Sequence, residues 1–499
     1  MELSPDIIYN NYCNHEIDKS SAENQLISLI DNSENLQIRI NSIRILDKIS
    51  IKSIRIFNLL ENLLISDTHE KIRYLAANVI RKNFLEKALE PMKWALYHEK
   101  TLKCLLLIVN TLGRLNTRES KALLIEKINT IENKNFLDTL QDLTYTDKIE
   151  SLSIKDLTEI IQNYLIIKEL NTKFDQIDYK LENGLITELD LSDVSSHVFG
   201  WNVLDKFPDF LGYLTSLRVL DLKFNRLTTL PESLGFLSKL IRLDLSYNKI
   251  KNLPNSVGSL SSLKILNLRY NKLQSLPESI GFLSILQKLD LRANNITSLP
   301  KTINKLSNLE ILDLHGNKIR NLTREFEGLT SLKELELGLN NLKKIPKGVS
   351  LLKSLQRLGL GGNKLTKLPK WIGDFKSLKV LQLYDNKLEY LPNSIGNLSS
   401  LIDLALWNNK LFSLPKSFSS LSMLKNLNLS WNQFYSLPMW INSLRSLEIL
   451  SLWGNKLLYL PESIGKMTSL KILDLNFNYI TQTPDFLKNL EREGLIIYK

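Results

Sequence analysis

The sequence predicts an α/β solenoid of stacked 23-residue units, preceded by an all-α domain. An asparagine recurs every 23 residues from Asn225 to Asn478, through twelve consecutive units without insertion or deletion. Leucines alternate around a short strand in each unit, whereas residues from about 20 to 170 show apolar residues at helical spacing. A period held over so many units indicates that each unit packs mainly against its neighbours.

The N-terminal part, residues 1–172, is predicted to be a series of helices. Three of its segments resemble one another: NLQIRINSIRIL (35–46), EKIRYLAANVI (70–80) and EKTLKCLLLIVNTL (99–112). Each contains an aliphatic residue followed by a basic one: Ile38-Arg39, Ile72-Arg73 and Leu102-Lys103. The pattern resembles the second helix of a HEAT-type helical repeat, and a generic helical bundle is the alternative.

The solenoid is predicted to begin irregularly. Residues 173–224 contain a hairpin around Asn183-Gly184 and a first unit in which Val194 stands where the asparagine belongs. Thirty-one residues separate Val194 from Asn225, so an eight-residue insertion interrupts the period. We expect the repeats to span residues 185–490 and a final capping strand to lie within residues 491–499.

The unit is visible in LPESIGFLSILQKLDLRANNI at 276–296. The leucines of L-x-L point inward from a parallel strand, and the residues between them point outward. The asparagine turns inward, where its amide can satisfy backbone groups, and the segment after the proline forms a helical or 3₁₀ turn. This period and pattern are those of a leucine-rich repeat. The predicted structural ladder is Asn225, Asn248, Asn271, Asn294, Asn317, Asn340, Asn363, Asn386, Asn409, Asn432, Asn455 and Asn478.

The LPxxIGxL form of the unit resembles that of the intracellular Ras-group leucine-rich repeat proteins, over about residues 185–490. The resemblance implies a horseshoe with a concave parallel sheet. It also implies a scaffold function, because that group includes proteins that bind small GTPases and phosphatases. Similar repeats are joined to Roc-COR GTPase domains elsewhere, but no such domain is recognisable in this sequence.

Composition and motifs favour a cytoplasmic, non-enzymatic protein. Only two cysteines occur, Cys13 and Cys104, and no window of 18 apolar residues predicts a membrane span. No P-loop or HExxH motif is present, and the five histidines are scattered, so we expect neither a cofactor nor a metal.

Charge is distributed unevenly along the chain. Residues 1–172 hold 22 Lys and Arg against 24 Asp and Glu, whereas residues 173–499 hold 42 against 29. The basic half motivates an alternative function, the binding of nucleic acid or another polyanion. Acidic residues interleaved on the predicted concave face, such as Asp221 and Asp290, make nucleic acid the less favoured partner.

The outward positions of the units divide the concave face into three zones. Units one to six carry acids beside basic residues that include Arg269, Arg292 and His315. Glycines in units six and seven are expected to leave the backbone open to close approach. Units eight to twelve carry aromatic residues of the kinds enriched at interface centres. The predicted partner-binding residues are Tyr384, Trp407, Trp431, Trp453, Phe477, Arg269, Arg292 and His315, and mutual stacking of the rings is the alternative.

Overall fold

The computed structural model describes residues 3–133, 136–140, 148–174, 177–194, 204–322, 326–482 and 484–499. They form two compact units: residues 1–188 with 210–217, and residues 189–209 with 218–499. Residues 195–203, in the segment predicted to contain the eight-residue insertion after Val194, lie outside the described residues. The helical-repeat region and the parallel leucine-rich repeat solenoid confirm the predicted fold class.

The first unit consists mainly of helices. They are α1 (Pro5–Cys13), α2 (Lys19–Asn32), α3 (Leu36–Ile49), α4 (Ile54–Ser66), α5 (Glu70–Asn83), α6 (Leu89–His98), α7 (Leu102–Leu115), α8 (Arg118–Asn129), α9 (Lys148–Ser151) and α10 (Ile154–Lys173). Residues 136–140 are also helical, and a 3₁₀ turn spans Leu85–Lys87. Helices α2, α4 and α6 pack on α3, α5 and α7, and α3, α5 and α7 pack on one another in order. This arrangement is that of a helical repeat.

Arginine side chains connect successive helix pairs of the first unit. Arg39 on α3 donates to the carbonyl oxygen of Ile30 at 3.0 Å and pairs with Asp67, in the loop of the next helix pair. Arg73 on α5 makes a bidentate pair with Glu99, with N–O distances of 2.8 and 3.0 Å. Lys103 departs from this pattern, because its ammonium lies 4.8 Å from the ring centroid of Tyr74. The basic residue of the sequence motif therefore links one repeat to the next at Arg39 and Arg73.

A hairpin, β1 (Asp178–Glu182) and β2 (Leu185–Asp190), precedes the regular repeats. Its turn residues Asn183 and Gly184 have φ of +52° and +74°, as a two-residue hairpin turn requires. The strands that follow are β3 (Val219–Asp221), β4 (Arg242–Asp244), β5 (Ile265–Asn267), β6 (Lys288–Asp290), β7 (Ile311–Asp313), β8 (Glu334–Glu336), β9 (Arg357–Gly359), β10 (Val380–Gln382), β11 (Asp403–Ala405), β12 (Asn426–Asn428), β13 (Ile449–Ser451), β14 (Ile472–Asp474) and β15 (Ile496–Tyr498).

Strands β3 to β14 pair in parallel and in sequence order, each residue opposite the one 23 positions later. Equivalent positions of successive repeats therefore form straight columns across the sheet. The pairing of β14 with β15 is also parallel, but its offset is 24 residues. Helix α11 (Asp485–Arg492) precedes this last strand.

The side opposite the strands is made of short 3₁₀ turns that follow a proline. Described turns span Asp209–Tyr213, Glu232–Phe236, Asn255–Ser259, Glu278–Phe282, Lys301–Lys305, Lys347–Leu351, Lys370–Asp374, Asn393–Asn397, Lys416–Ser420, Met439–Ser443 and Glu462–Lys466. The glycine of the LPxxIG motif lets neighbouring turns approach closely. A Cβ atom added to Gly396 would lie 2.0 Å from the carbonyl oxygen of Ser417, so a side chain there would push the turns apart.

Candidate functional site

The asparagine ladder fixes which side chains of each repeat point outward. In the seventh repeat the amide nitrogen of Asn363 donates to the carbonyl oxygens of Leu337 at 2.9 Å and Leu360 at 3.0 Å. Its amide oxygen accepts the backbone N–H of Leu342 at 3.0 Å. Eleven of the twelve ladder asparagines are buried, Asn478 being the exception. A neutral amide thus satisfies backbone groups of two adjacent repeats at once.

The residue before each ladder asparagine lies in the left-handed backbone region. Its φ is +47° to +57° in nine repeats, and +68° in the three repeats that have glycine there. This conformation costs a non-glycine residue roughly 1 kcal/mol. The bend turns the asparagine inward and pushes the preceding side chain outward, as at Trp431 and Phe477. Large rings occupy this position in five repeats, at Phe224, Tyr247, Tyr270, Trp431 and Phe477.

We call the surface formed by the outward side chains of β3–β14 and of these bends the strand face. Its acidic column, in repeats one to six, mostly hydrogen-bonds or pairs with groups of the sheet itself. The carboxylates of Asp290 and Asp313 accept the backbone N–H groups of the residues two positions later, at 3.1 and 2.8 Å. Glu336 pairs with Arg357 at 2.6 Å. These acids therefore have structural partners.

Burial and like charge set the electrostatics of this acidic column. Burial raises the pKa of Asp290, and the neighbouring carboxylate of Asp313 raises it further. Burial raises the pKa of Asp313 as well, with Glu336 adding to the effect. Burial lowers the pKa of His315, and the guanidinium of Arg292 acts in the same direction. His315 therefore favours its neutral form.

The three predicted basic site residues lie in one column on adjacent repeats. The guanidinium of Arg269 lies over the ring of Tyr247, 5.3 Å from its centroid, whereas Arg292 is exposed. His315 is half-buried and leans over Gly338. Two repeats separate His315 from Tyr384 along the column, so the basic and aromatic residues predicted as one site form two groups.

The expectation that the glycines leave the backbone open is wrong. Gly338, Gly359 and Gly361 are buried, because neighbouring side chains lean over them. An added Cβ at Gly359 would lie 1.6 Å from a carboxylate oxygen of Glu336, and one at Gly361 would lie 2.4 Å from the ring of Tyr384. The space that the sequence shows as empty is filled across the strands.

The predicted aromatic residues form two distinct arrangements. The rings of Tyr384 and Trp407 stack at a centroid distance of 4.7 Å and an interplanar angle of 2°. Because Tyr384 also covers Gly361, this pair largely covers itself and the sheet. Burial raises the pKa of the Tyr384 phenol, with Glu336 and Asp385 contributing, so the ring stays neutral.

Trp431, Trp453 and Phe477 form what we call the C-terminal ring cluster. Their rings meet edge to face, with centroid distances of 5.1 Å between Trp431 and Trp453 and 6.0 Å between Trp453 and Phe477. The exposed fractions are 50% for Trp431, 37% for Trp453 and 78% for Phe477. The tilted packing leaves more ring surface in solvent than parallel stacking would, so this cluster is the candidate anchor for a partner.

A second group of rings lies at the other end of the strand face, and the sequence prediction did not include it among the partner-binding residues. Phe224, Tyr247 and Tyr270 form the N-terminal ring stack, with successive centroids 4.5 Å apart and interplanar angles of 20° and 9°. Their recurrence at the bend position of repeats one to three was the available signal. Charged neighbours dominated the sequence interpretation of these repeats.

Another outward column, at the first residue of each strand, is also absent from the sequence prediction. It contains half-buried Ile265, Ile311, Val380, Ile449 and Ile472 between polar and charged residues. These side chains add aliphatic surface beside the columns already described.

Two further features are absent from the part of the chain that the structure describes. No helix there is long and apolar enough to span a bilayer. No group of three or more His, Cys, Asp or Glu side chains there is arranged to hold a metal ion.

Comparisons with known proteins agree with the repeat architecture. Family models described as leucine-rich repeat region match residues 255–358 and 329–433, and related leucine-rich repeat models match residues 215–273 and 469–490. Comparison with functionally curated proteins gave no significant match.

Solved structures with the same repeat include two bacterial proteins. A leucine-rich repeat protein of Leptospira interrogans is 36% identical, with 58% of this chain and 74% of that chain covered and a TM-score of 0.56. An internalin of Listeria monocytogenes is 26% identical, with 63% and 86% covered and a TM-score of 0.54. The chain therefore belongs to the leucine-rich repeat proteins.

Proposed function

We propose that this protein is a non-enzymatic scaffold that binds a protein partner on the strand face of repeats eight to twelve. The observation that carries the proposal is the exposure of three large rings in contact, Trp431, Trp453 and Phe477. Aromatic side chains bury much area on binding and lose little conformational freedom, which makes them frequent interface anchors. Leucine-rich repeat proteins in general act as protein interaction scaffolds.

Backbone strain is compatible with the proposal, although Phe224, Tyr247 and Tyr270 at the other end of the strand face hold the same conformation. Trp431 and Phe477 hold positive φ values of 52° and 55°. Bulky side chains at a position that favours glycine are consistent with a function that offsets the cost. The sheet beneath them is fixed by the asparagine ladder, so little ordering of the backbone would accompany binding.

The exposed basic Arg292 and the half-buried Arg269 and His315 would lie at one side of a bound partner and orient it. The resemblance to Ras-group repeats makes a small GTPase or another cytoplasmic signalling protein the first partner to test. In line with the same resemblance we propose a cytoplasmic location, where Cys13 and Cys104, both free thiols here, would stay reduced.

The proposal is tested by affinity capture with the immobilised full chain, followed by mass spectrometry and titration calorimetry with the purified partner. We expect a partner that the wild type captures to be lost on Trp431→Ala/Trp453→Ala. The matched control is Phe236→Ala/Phe282→Ala, which removes two exposed rings from the 3₁₀ turns. Equal capture by wild type and the tryptophan variant would overturn the proposal.

A further inference from the structure

One side of the solenoid carries charge of almost a single sign. In each repeat, the residues one, three and four positions after the ladder asparagine point away from the core, while the residue two positions after it points inward. Over twelve repeats these outward positions contain 13 Lys or Arg residues and one acid, Glu389. We call this surface the lysine edge. Its cations are exposed, apart from half-buried Lys456.

The opposite side of the sheet also carries lysines, and three of these form ion pairs. Lys333 lies 2.9 Å from a carboxylate oxygen of Glu310. Glu448 lies between Lys425 and Lys471, at 3.0 and 2.6 Å. No ion pair within the described residues involves a cation of the lysine edge. Because the strands are in constant register, the unpaired cations fall in rows about 5 Å apart from repeat to repeat, where like charges repel. Solubility alone would be served by mixed charges.

The same surface becomes apolar in repeats eight to twelve. Six of its outward residues there are Tyr390, Phe412, Tyr435, Leu458, Tyr459 and Tyr479, and each is more than half exposed. Phe412, Tyr435 and Leu458 occupy the same position on three consecutive repeats, so they form a straight row. Lysines flank the row, and the ammonium of Lys456 lies 5.5 Å from the ring centroid of Tyr435.

We infer that the lysine edge is a docking surface for a lipid bilayer with anionic headgroups. Lysines near such a surface are attracted by its negative potential, and each adds to the affinity. Tyrosine, phenylalanine and leucine side chains projecting from a basic surface are the kinds that enter the headgroup layer. A straight row of separate projecting side chains suits a flat surface. Leu458 in the row favours apolar insertion over stacking on nucleic acid bases.

Docking by this edge is independent of the strand face. The two surfaces lie on opposite sides of the ladder bend, because the strand residues precede the asparagine and the edge residues follow it. The inference uses none of the rings of the strand face. The inference therefore stands whether or not the rings bind a protein.

The test is sedimentation of the purified full chain with vesicles of phosphatidylcholine alone and with about one-third phosphatidylserine. We expect binding only to the anionic vesicles, and weaker binding as salt is raised. Neutralising four edge lysines should weaken binding at least about tenfold; the changes are Lys364→Gln, Lys367→Gln, Lys387→Gln and Lys410→Gln. A matched control removes four lysines from the opposite side and should change binding less than about twofold; it is Lys264→Gln, Lys333→Gln, Lys379→Gln and Lys471→Gln.

The apolar contribution is tested separately. Phe412→Ser/Tyr435→Ser/Leu458→Ser should weaken vesicle binding several-fold, whereas the control Phe236→Ser/Phe282→Ser/Leu351→Ser, on the 3₁₀ turns, should not. All these residues are exposed, so thermal melts should show that each variant remains folded.

Three results would overturn the inference. The first is no sedimentation with anionic vesicles at low salt. The second is an equal loss in the edge and control variants, which would mean that only net charge matters. The third is tighter binding to a single-stranded oligonucleotide than to vesicles with the same dependence on the edge lysines, which would make the surface a nucleic-acid site.

Discussion

The two compact units of the chain hold their repeats together with different chemistry. In the helical unit, Arg39 and Arg73 pair with Asp67 and Glu99 of the next helix pair. In the solenoid, a neutral asparagine amide does the equivalent work, bonding only to backbone groups. An ion-pair ladder depends on the charge of its members, whereas an amide ladder does not. The solenoid is therefore free to vary its outward charges and rings without disturbing its interior, which suits it to display binding surfaces.

The largest change in stability is expected from breaking the ion pair between Arg73 and Glu99. Arg73→Met should destabilise the helical unit by about 3–5 kcal/mol, because Glu99 is buried and would lose its partner. Hydrogen exchange in α5 to α7 of the full chain would measure this. The control Lys82→Met breaks the more exposed pair with Asp47 and should cost less than about 1 kcal/mol. Equal losses of stability would show that the buried ion pair contributes no more than the exposed one.

The corresponding change in the solenoid is Asn363→Ala. It leaves buried carbonyl and N–H groups of two repeats without partners and should cost about 2–4 kcal/mol. Denaturant unfolding measured at neutral and mildly acidic pH should give the same cost, because no charge is involved. Asn252→Ala, at an exposed asparagine outside the ladder, is the control and should be nearly neutral. If the loss of stability in Asn363→Ala changed with pH, the contrast between the amide ladder and the ion-pair ladder would be wrong.

Acid should lower the stability of the helical unit before it lowers that of the solenoid. Burial raises the pKa of Glu99, but hydrogen bonds from Arg73, Thr101 and Lys100 outweigh it and lower the pKa to about 2, below the ordinary 4.5. A lowered carboxyl pKa stabilises the fold above pH 4.5, and this stability is lost as pH falls from 4.5 towards 2. The loss is on the order of 2–3 kcal/mol.

In the solenoid, the pKa shifts of Asp290 and Asp313 have the opposite direction to that of Glu99. Their pKa values are raised by burial, so their ionisation disfavours the fold, and their protonation as pH falls relieves it. Hydrogen exchange, corrected for intrinsic rates, should show α5 to α7 losing protection near pH 3 before β6 and β7 do. Glu99→Gln should remove most of that pH dependence. Earlier opening of β6 and β7 would contradict the assignment.

The residues that face the interior of both units could be predicted from the sequence, whereas the contacts between surface side chains could not. A fixed 23-residue period determines which residues face inward, so the solenoid and the outward position of Trp453 followed directly. Side-chain direction on the surface depends on rotamers and neighbours, which the period does not encode. Tyr384 leaning over Gly361 and the self-stacking of Phe224, Tyr247 and Tyr270 therefore appear only in the structure. The left-handed bend that exposes Phe477 was equally hidden, because nine of its twelve residues are not glycine.

The smallest effect on stability concerns this bend. Phe477→Gly should stabilise the solenoid by about 0.5–1 kcal/mol, because glycine adopts a positive φ without strain and Phe477 is 78% exposed. Phe236→Gly is the control: this exposed phenylalanine lies in a 3₁₀ turn, outside the positive-φ positions, where glycine should destabilise slightly. Thermal unfolding measures both. Equal destabilisation by both changes would remove the strain argument for function at the bend.

We propose above that the solenoid displays the C-terminal ring cluster to a protein partner. The most direct test is titration calorimetry of a captured partner against two triple variants of the full chain. Trp431→Ala/Trp453→Ala/Phe477→Ala should weaken binding at least about 100-fold, whereas Phe224→Ala/Tyr247→Ala/Tyr270→Ala, in the N-terminal ring stack at the other end of the strand face, should change it less than about threefold. Unchanged affinity in the first variant, or equal loss in both, would contradict the account.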